Sequence, residues 1–400
     1  MNNTVLRRFY FVNNLMNKTL TIIVISQFFC TSLWFAGNAI MPEIIANLQL
    51  ENSFLAHLTS AIQFGFIMGT LTFAMLTIAD RFSPSLVFLV SAIMAGIFNL
   101  AISFGGIDVI NILIFRFLTG FFLAGIYPVG MKIASDYYQK GLGKSLGFLV
   151  GALVLGTAFP YLLKNFTANF PYRYVIYGTS TLSLLGGTIM YVFVPDGPYR
   201  KVGQQLQFTT FFTIFRNNKF QAAAFGYFGH MWELYAFWAF VPVMLKFYKN
   251  QFPNIDLNIP LYSFLIIAFG SVACVLSGQF SERFKPKNIA TFALSASCTC
   301  CLLSPFFLSQ NSITILLIFL FFWGMVVVAD SPLFSTLVAQ NAPEASRGTS
   351  LTIVNCIGFA ITIVSIQFIN VISNYIDAQY LYAFLAVGPV LGLVALFRVD

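Results

Sequence analysis

Apolar and polar positions in this chain alternate on a long scale. Stretches of roughly twenty apolar residues are separated by short polar gaps. The pattern predicts helices at 19–41, 54–78, 86–104, 109–133, 143–163 and 174–194, then at 219–245, 260–280, 289–308, 312–338, 347–372 and 379–398. Stretches this long and apolar match the thickness of a bilayer. Their backbone groups must be satisfied internally, which leaves helix as the form that spans lipid. The ten-residue alternation of a transmembrane barrel strand is absent. A polar stretch at 195–218, with Arg200-Lys201, separates residues 1–194 from residues 219–400, and each side holds six predicted helices. The loops within each side are short, so helices adjacent in sequence are expected to pack antiparallel.

The punctuation of the first side recurs in the second. Asp80-Arg81-Phe82 lies in one polar gap, and Glu282-Arg283-Phe284 lies in another 202 positions later. Pro42 has a counterpart in Pro242, and Pro128 has one in Pro332. Repetition of half a very apolar chain points to a transporter built from two bundles. The expected class is therefore all-α, with twelve transmembrane helices in two pseudo-symmetric six-helix bundles.

Composition narrows the picture. The chain is 58% hydrophobic and 8% charged, and it has 48 Phe. A soluble domain carries about 25% charged residues, so lipid is the expected partner for this surface. The formal charge of +8 would raise nucleic acid as a partner in a soluble protein; here it reads as a topology signal. The two ends and the gaps after even-numbered helices hold Arg7, Arg8, Arg81, Lys132, Lys140, Arg200, Arg283 and Lys287, whereas the opposite gaps hold Lys164, Arg173, Lys246 and Lys249. That asymmetry predicts cytoplasmic termini and a cytoplasmic 195–218 linker in a multi-pass protein of the cell (inner) membrane. The first apolar run is full length and lacks an Ala-x-Ala cleavage signal, so it reads as a retained helix. The six cysteines lie in apolar stretches without CxxC spacing, which reads as packing and not as a metal site. No Walker loop, HExxH or GxSxG motif is present, and the loops are too short for a catalytic domain. Neither an enzyme nor a cofactor is expected, and the chain is expected to be monomeric.

Three motifs carry a family resemblance. The gap after helix 2 reads Ala79-Asp80-Arg81-Phe82-Ser83-Pro84, and the gap after helix 8 reads Gly278-Gln279-Phe280-Ser281-Glu282-Arg283-Phe284-Lys285-Pro286-Lys287. Both are similar to the Gly-x-Leu-x-Asp-Arg-x-Gly-Arg-Arg loop of the major facilitator superfamily. In the first, Leu76 replaces the expected Gly and the trailing basic residues are missing. Helix 4 contains Arg116-Phe117-Leu118-Thr119-Gly120, like that family's Arg-Phe-Leu-x-Gly. A narrower resemblance rests on Ser32-Leu33-Trp34-Phe35-Ala36, on Gly229 to Tyr235 and on Ala329-Asp330-Ser331-Pro332. These resemble a bacterial branch grouped with cyanate, nitroimidazole and nitrate/nitrite transporters, which implies small, often anionic cargo. The loop motif has a physical reading as a conformational latch made of Asp80, Arg81, Glu282 and Arg283. Each acid would face a helix N-terminus, and each Arg would pair with a carboxylate across the bundle in one conformation only. Ordinary topology-fixing charges are the alternative.

Charge inside a membrane helix costs roughly 2.5–3.5 kcal/mol on insertion scales. Arg116, His230, Glu233 and Asp330 lie well inside predicted helices 4, 7 and 10. The resemblance implies that helices 1, 4, 7 and 10 line a central cavity, so these residues are candidates for substrate and coupling contacts. His230 and Glu233 are three apart and share a helix face, about 17–21 Å from one end of their helix. Glu233 reads either as a proton-coupling group tuned by His230, or as half of a neutral hydrogen-bonded tie between helices. Arg116, whose planar fork suits carboxylate or nitrate, reads either as an anion anchor or as a buried strut on Asp330 or a backbone carbonyl. Asp330 precedes Ser331-Pro332, and Tyr127-Pro128 occupies the matching place, which suggests bends that serve gating or packing. Trp34, Asn38, Trp232, Tyr235 and Trp238 complete the candidate cavity lining. The expected function is proton-coupled secondary transport of a small polar or anionic metabolite by alternating access. The rivals are efflux of amphipathic, drug-like compounds and a receptor that does not transport.

Overall fold

The computed structural model describes residues 18–138, 142–200, 214–281, 283–343 and 346–398. Among these, helices joined by turns and short loops are the regular structure. We number the spans α1 (Lys18–Thr31, resumed at Ala36–Ala39 and Met41–Leu48), α2 (Phe54–Met75), α3 (Pro84–Ala101), α4 (Val109–Leu123 and Tyr127–Tyr137), α5 (Leu142–Phe166) and α6 (Arg173–Phe193). The second half holds α7 (Asn218–Gln251), α8 (Ile259–Phe280), α9 (Pro286–Leu308), α10 (Ile313–Ala329 and Ser331–Asn341), α11 (Arg347–Ile372) and α12 (Ala378–Phe397). Most of the 195–218 linker, with Lys201, lies outside the described residues, as do Arg7, Arg8, Lys140 and Glu282.

Ten helices are long and apolar enough to cross a membrane, and α1 and α7 complete the twelve. Both exceptions have a physical cause. The first segment of α1 ends at Thr31, before turns at 32–35. α7 is 34 residues long, but its middle carries His230, Trp232, Glu233 and Tyr235, which lower its hydropathy.

Three spans are interrupted, two of them where bends were expected. α1 breaks before Pro42, α4 at 124–126 before Pro128, and α10 at Asp330 before Pro332. In each case proline sits in the first turn of the resumed helix, where its missing N–H costs nothing. Pro242 differs: it lies inside α7 without ending it.

Glycines set how closely the helices approach, and they do so in the same way in both halves. A Cβ on Gly65 of α2 would strike the carbonyl of Phe117 in α4, and one on Gly120 of α4 would strike that of Ile62 in α2. In the second half a Cβ on Gly324 of α10 would strike the carbonyl of Ile266 in α8, and one on Gly270 would lie 2.8 Å from the carbonyl of Gly324. Small residues at these crossings let backbones meet. The two halves join through α5 against α8 and through α2 against α11. Gly147 and Gly151 of α5 face the carbonyls of Cys274 and Ser271 across the first of these seams.

Candidate functional site

Arg116 is fully buried inside the N-terminal bundle, and its fork is occupied. One Nη donates to the carbonyl of Leu33 at 3.1 Å, and the other donates to the carbonyl of Trp34. Both acceptors lie at the break in α1, where intrahelical donors are lost. The Leu33-bonding nitrogen is also 3.5 Å from Asn99 Oδ1 on α3. The Asn99 amide in turn donates to Thr179 and Ser180 of α6. Arg116 therefore ties α4 to the broken part of α1 and reaches α3. It does not pair with Asp330, and only its Nε lacks a partner.

In the other bundle, Glu233 points into the helix packing rather than toward the first half. Its Oε1 accepts from Trp323 Nε1 of α10 at 2.6 Å, from Cys301 Sγ of α9 at 3.1 Å, and from Ser297 of α9. His230, one turn earlier, places Nδ1 2.8 Å from Asp330 Oδ1. That approach has ion-pair distance without hydrogen-bond alignment, and His230 Nε2 and Asp330 Oδ2 have no protein partner. Both residues are buried. Asp330 lies at the cap position of both segments of α10, so the one ion pair across the α7–α10 seam among the described residues is made at the α10 break. The structure thus brings His230 together with Asp330, places Glu233 nearby on the same face of α7, and leaves Arg116 apart.

Between the bundles lies a group of rings. Trp34 of α1 meets Phe66 of α2 at 4.9 Å, Phe359 of α11 at 5.7 Å and Tyr235 of α7 at 5.8 Å between ring centres. Phe66 and Phe359 approach to 4.5 Å, and Trp238 joins through Tyr235 at 5.1 Å. Dense ring contact of this kind excludes water. Beside the rings is a polar layer. Asn38 donates to Thr59 Oγ1 at 2.8 Å, and Gln63 accepts from Thr362 of the other half. Further along the same seam, Gln367 of α11 donates to Ser60 of α2 at 2.9 Å. Tyr127 is buried on α4.

Two expectations need correction. Trp232 does not face this seam. Its ring lies 5.7 Å from Phe368, its carbonyl accepts from Ser365, and Gly388 abuts its side chain, so it faces α11 and α12. Residue 232 lies about 100° around the helix from Met231, which turns its ring toward α11 and α12. The latch residues also find partners other than those expected. Asp80 pairs with Lys132 of α4 at 2.9 Å instead of facing a helix N-terminus, and Arg81 donates to Thr77 at 3.0 Å instead of to a carboxylate across the bundle. Arg200 holds the same loop by donating to the carbonyls of Asp80 and Phe82. These contacts stay within the first half. Arg283 is described, but Glu282 is not.

Sequence reasoning passed over Gln63, Thr59 and Thr362, although an amide in the apolar run of α2 was a readable signal. It also passed over Ser297 and Trp323, and it read Cys301 as packing alone.

Comparison with known proteins places this architecture. The model of the Major Facilitator Superfamily matches residues 23–366. A solved structure of the proton:xylose symporter XylE, bound to 6-bromo-6-deoxy-D-glucose, superposes with a TM-score of 0.76 at 13% identity, covering 97% of this chain and 96% of that one. No curated protein sequence matches the chain.

Proposed function

The chain belongs to the Major Facilitator Superfamily, and on that premise we propose that it is a proton-coupled secondary transporter of a small polar molecule, working by alternating access. The observation that carries coupling is the His230–Asp330 contact at the α10 break. The segment beyond the break, Ser331–Asn341, packs on α5 of the other half. Protonation of Asp330 would remove the negative partner of His230 and loosen the hinge that aims this segment. A proton would thereby change how the two bundles meet on the face carrying the Asp80 loop. The excess of Lys and Arg on that face supports a cytoplasmic orientation in the cell inner membrane.

The ring cluster and its polar layer form the central barrier, which must part for cargo to cross. The match to XylE, described as a proton:xylose symporter, agrees with symport of an uncharged polar molecule. Arg116, committed to the α1 carbonyls, offers less support for anionic cargo. The test is reconstitution in proteoliposomes, with cargo found by a thermal-shift screen, since a ligand of the folded state raises apparent stability. Asp330→Asn is expected to abolish accumulation driven by an imposed pH gradient while retaining exchange of labelled cargo. Undiminished gradient-driven accumulation in that variant would sink the coupling claim.

A further inference from the structure

We propose that the seam beside the ring cluster is a binding site for a small, uncharged, flat molecule bearing a carbonyl edge, such as an amide or lactam. This rests on the transport reading and names the cargo class. Four buried polar atoms there lack a protein partner: Trp34 Nε1, Trp238 Nε1, Gln63 Nε2 and Asn38 Oδ1. Their residues are 0%, 0%, 0% and 3% exposed. A buried orphan is rare and costly, and each one calls for a ligand or water.

The four are neighbours by contact. Trp34 packs on Phe66, one turn from Gln63 on α2. Asn38 is one turn beyond Trp34 and bonds Thr59, one turn before Gln63. Trp238 joins the same rings through Tyr235 and lies 6.4 Å from Phe35. Three of the orphans are N–H donors and one is a carbonyl acceptor. A ligand that satisfies them offers mainly acceptors, with one donor for Asn38. The surrounding faces of Trp34, Phe66, Tyr235 and Phe359 suit a flat apolar body. No ion pair or free fork belongs to the group: both Nη groups of Arg116 and the carboxylate of Glu233 are engaged inside their own bundles, and only Arg116 Nε, beside Gly37, is left without a partner. A carboxylate would lose its hydration without gaining a cation.

The test uses detergent-purified full-length protein, intrinsic tryptophan fluorescence and thermal shift. The probes are nicotinamide, benzamide and uracil, with nicotinate and benzoate as charged counterparts. At least one neutral probe is expected to bind saturably, with its carboxylate counterpart about tenfold weaker or more. Gln63→Leu and Asn38→Leu should each weaken that binding about tenfold while the variants stay folded by thermal melting. Trp232→Phe, on the far face of α7, should leave it unchanged. Equal or tighter binding of the carboxylates would overturn the assignment, as would no binding by any neutral probe or indifference to Gln63→Leu. Binding is read without a gradient, so intact binding with failed uptake would count against transport alone.

Discussion

The two readings of Arg116 predict opposite signs for one substitution. If Arg116 is a strut, Arg116→Leu strands the carbonyl of Trp34 and leaves that of Leu33 with only a 3.4 Å hydrogen bond from the Ala36 N–H. A hydrogen bond to a charged group contributes about 1.5–3 kcal/mol, and a buried carbonyl left without a partner costs about 1–3 kcal/mol. The stranded Trp34 carbonyl alone puts the loss at about 1–3 kcal/mol, with a smaller addition from Leu33. The same change removes a buried guanidinium, whose desolvation costs several kcal/mol when its partners are poor. If the fork instead waits for an anion, that relief dominates, and Arg116→Leu stabilises the protein without ligand. Arg116→Lys separates the cases further, because an ammonium reaches one carbonyl and lacks the planar fork. The strut predicts an intermediate loss for Lys. The assay is chemical unfolding in mixed micelles, followed by tryptophan fluorescence. An Arg116→Leu midpoint at or above that of the parent, with Lys no better than Leu, would refute the strut.

Other outcomes follow from packing and surface charge. Gly120→Leu and Gly324→Leu push a side chain into the carbonyls of Ile62 and Ile266. Each should destabilise by more than the 1–3 kcal/mol typical of an overpacked core, read as a lower melting midpoint, because backbone cannot yield as a side-chain tip would. Glu233→Leu removes the acceptor of Trp323, Cys301 and Ser297 and should cost about 2–5 kcal/mol, whereas Glu233→Gln keeps an acceptor and should cost less; equal melting of the two variants would count against the tie. Lys132→Ala removes the partner of Asp80 at the partly exposed loop. Stability should change by less than about 1 kcal/mol, so an effect on transport rate beyond that would mark the loop as a moving part.

Much of the architecture could be read from the chain because bilayer thickness dictates span length, and apolar runs record it directly. The half-chain repeat was visible in its loops and prolines. Breaks were harder to place. Pro128 and Pro332 marked two of them, but Pro42 and Pro242 share a register and behave differently: Pro42 opens a resumed helix segment, whereas Pro242 lies inside an unbroken α7. Which face each deep side chain takes was least legible. Spacing put His230 and Glu233 on one side of α7, yet it could not say that this side meets α9 and α10 instead of the opposite bundle. Facing depends on helix rotation, and α7, buried along most of its length, has no lipid-facing stripe to fix it.

The deep charges that break the repeat sit on different helices of their halves but tie together the same three. Aligning Pro42 with Pro242 sets Leu33 opposite Glu233, and both lie in the first helix of their half. In the first half, Leu33 supplies a carbonyl that takes a donor from Arg116 of α4, while α3 contributes Asn99. In the second, Glu233 supplies a carboxylate that takes a donor from Trp323 of α10, while α9 contributes Ser297 and Cys301. Each bundle is thus knotted through the same three helices, first, third and fourth, with opposite chemistry at the centre. The N-terminal knot is built on a cation that stays protonated at ordinary pH. The C-terminal knot is built on an acid, with a second acid and a histidine one turn away. On the proposed coupling, one bundle would be a constant frame and the other the proton-responsive partner. Substituting Arg116 should move stability alike at every pH, while substituting Asp330 should move the pH dependence of transport.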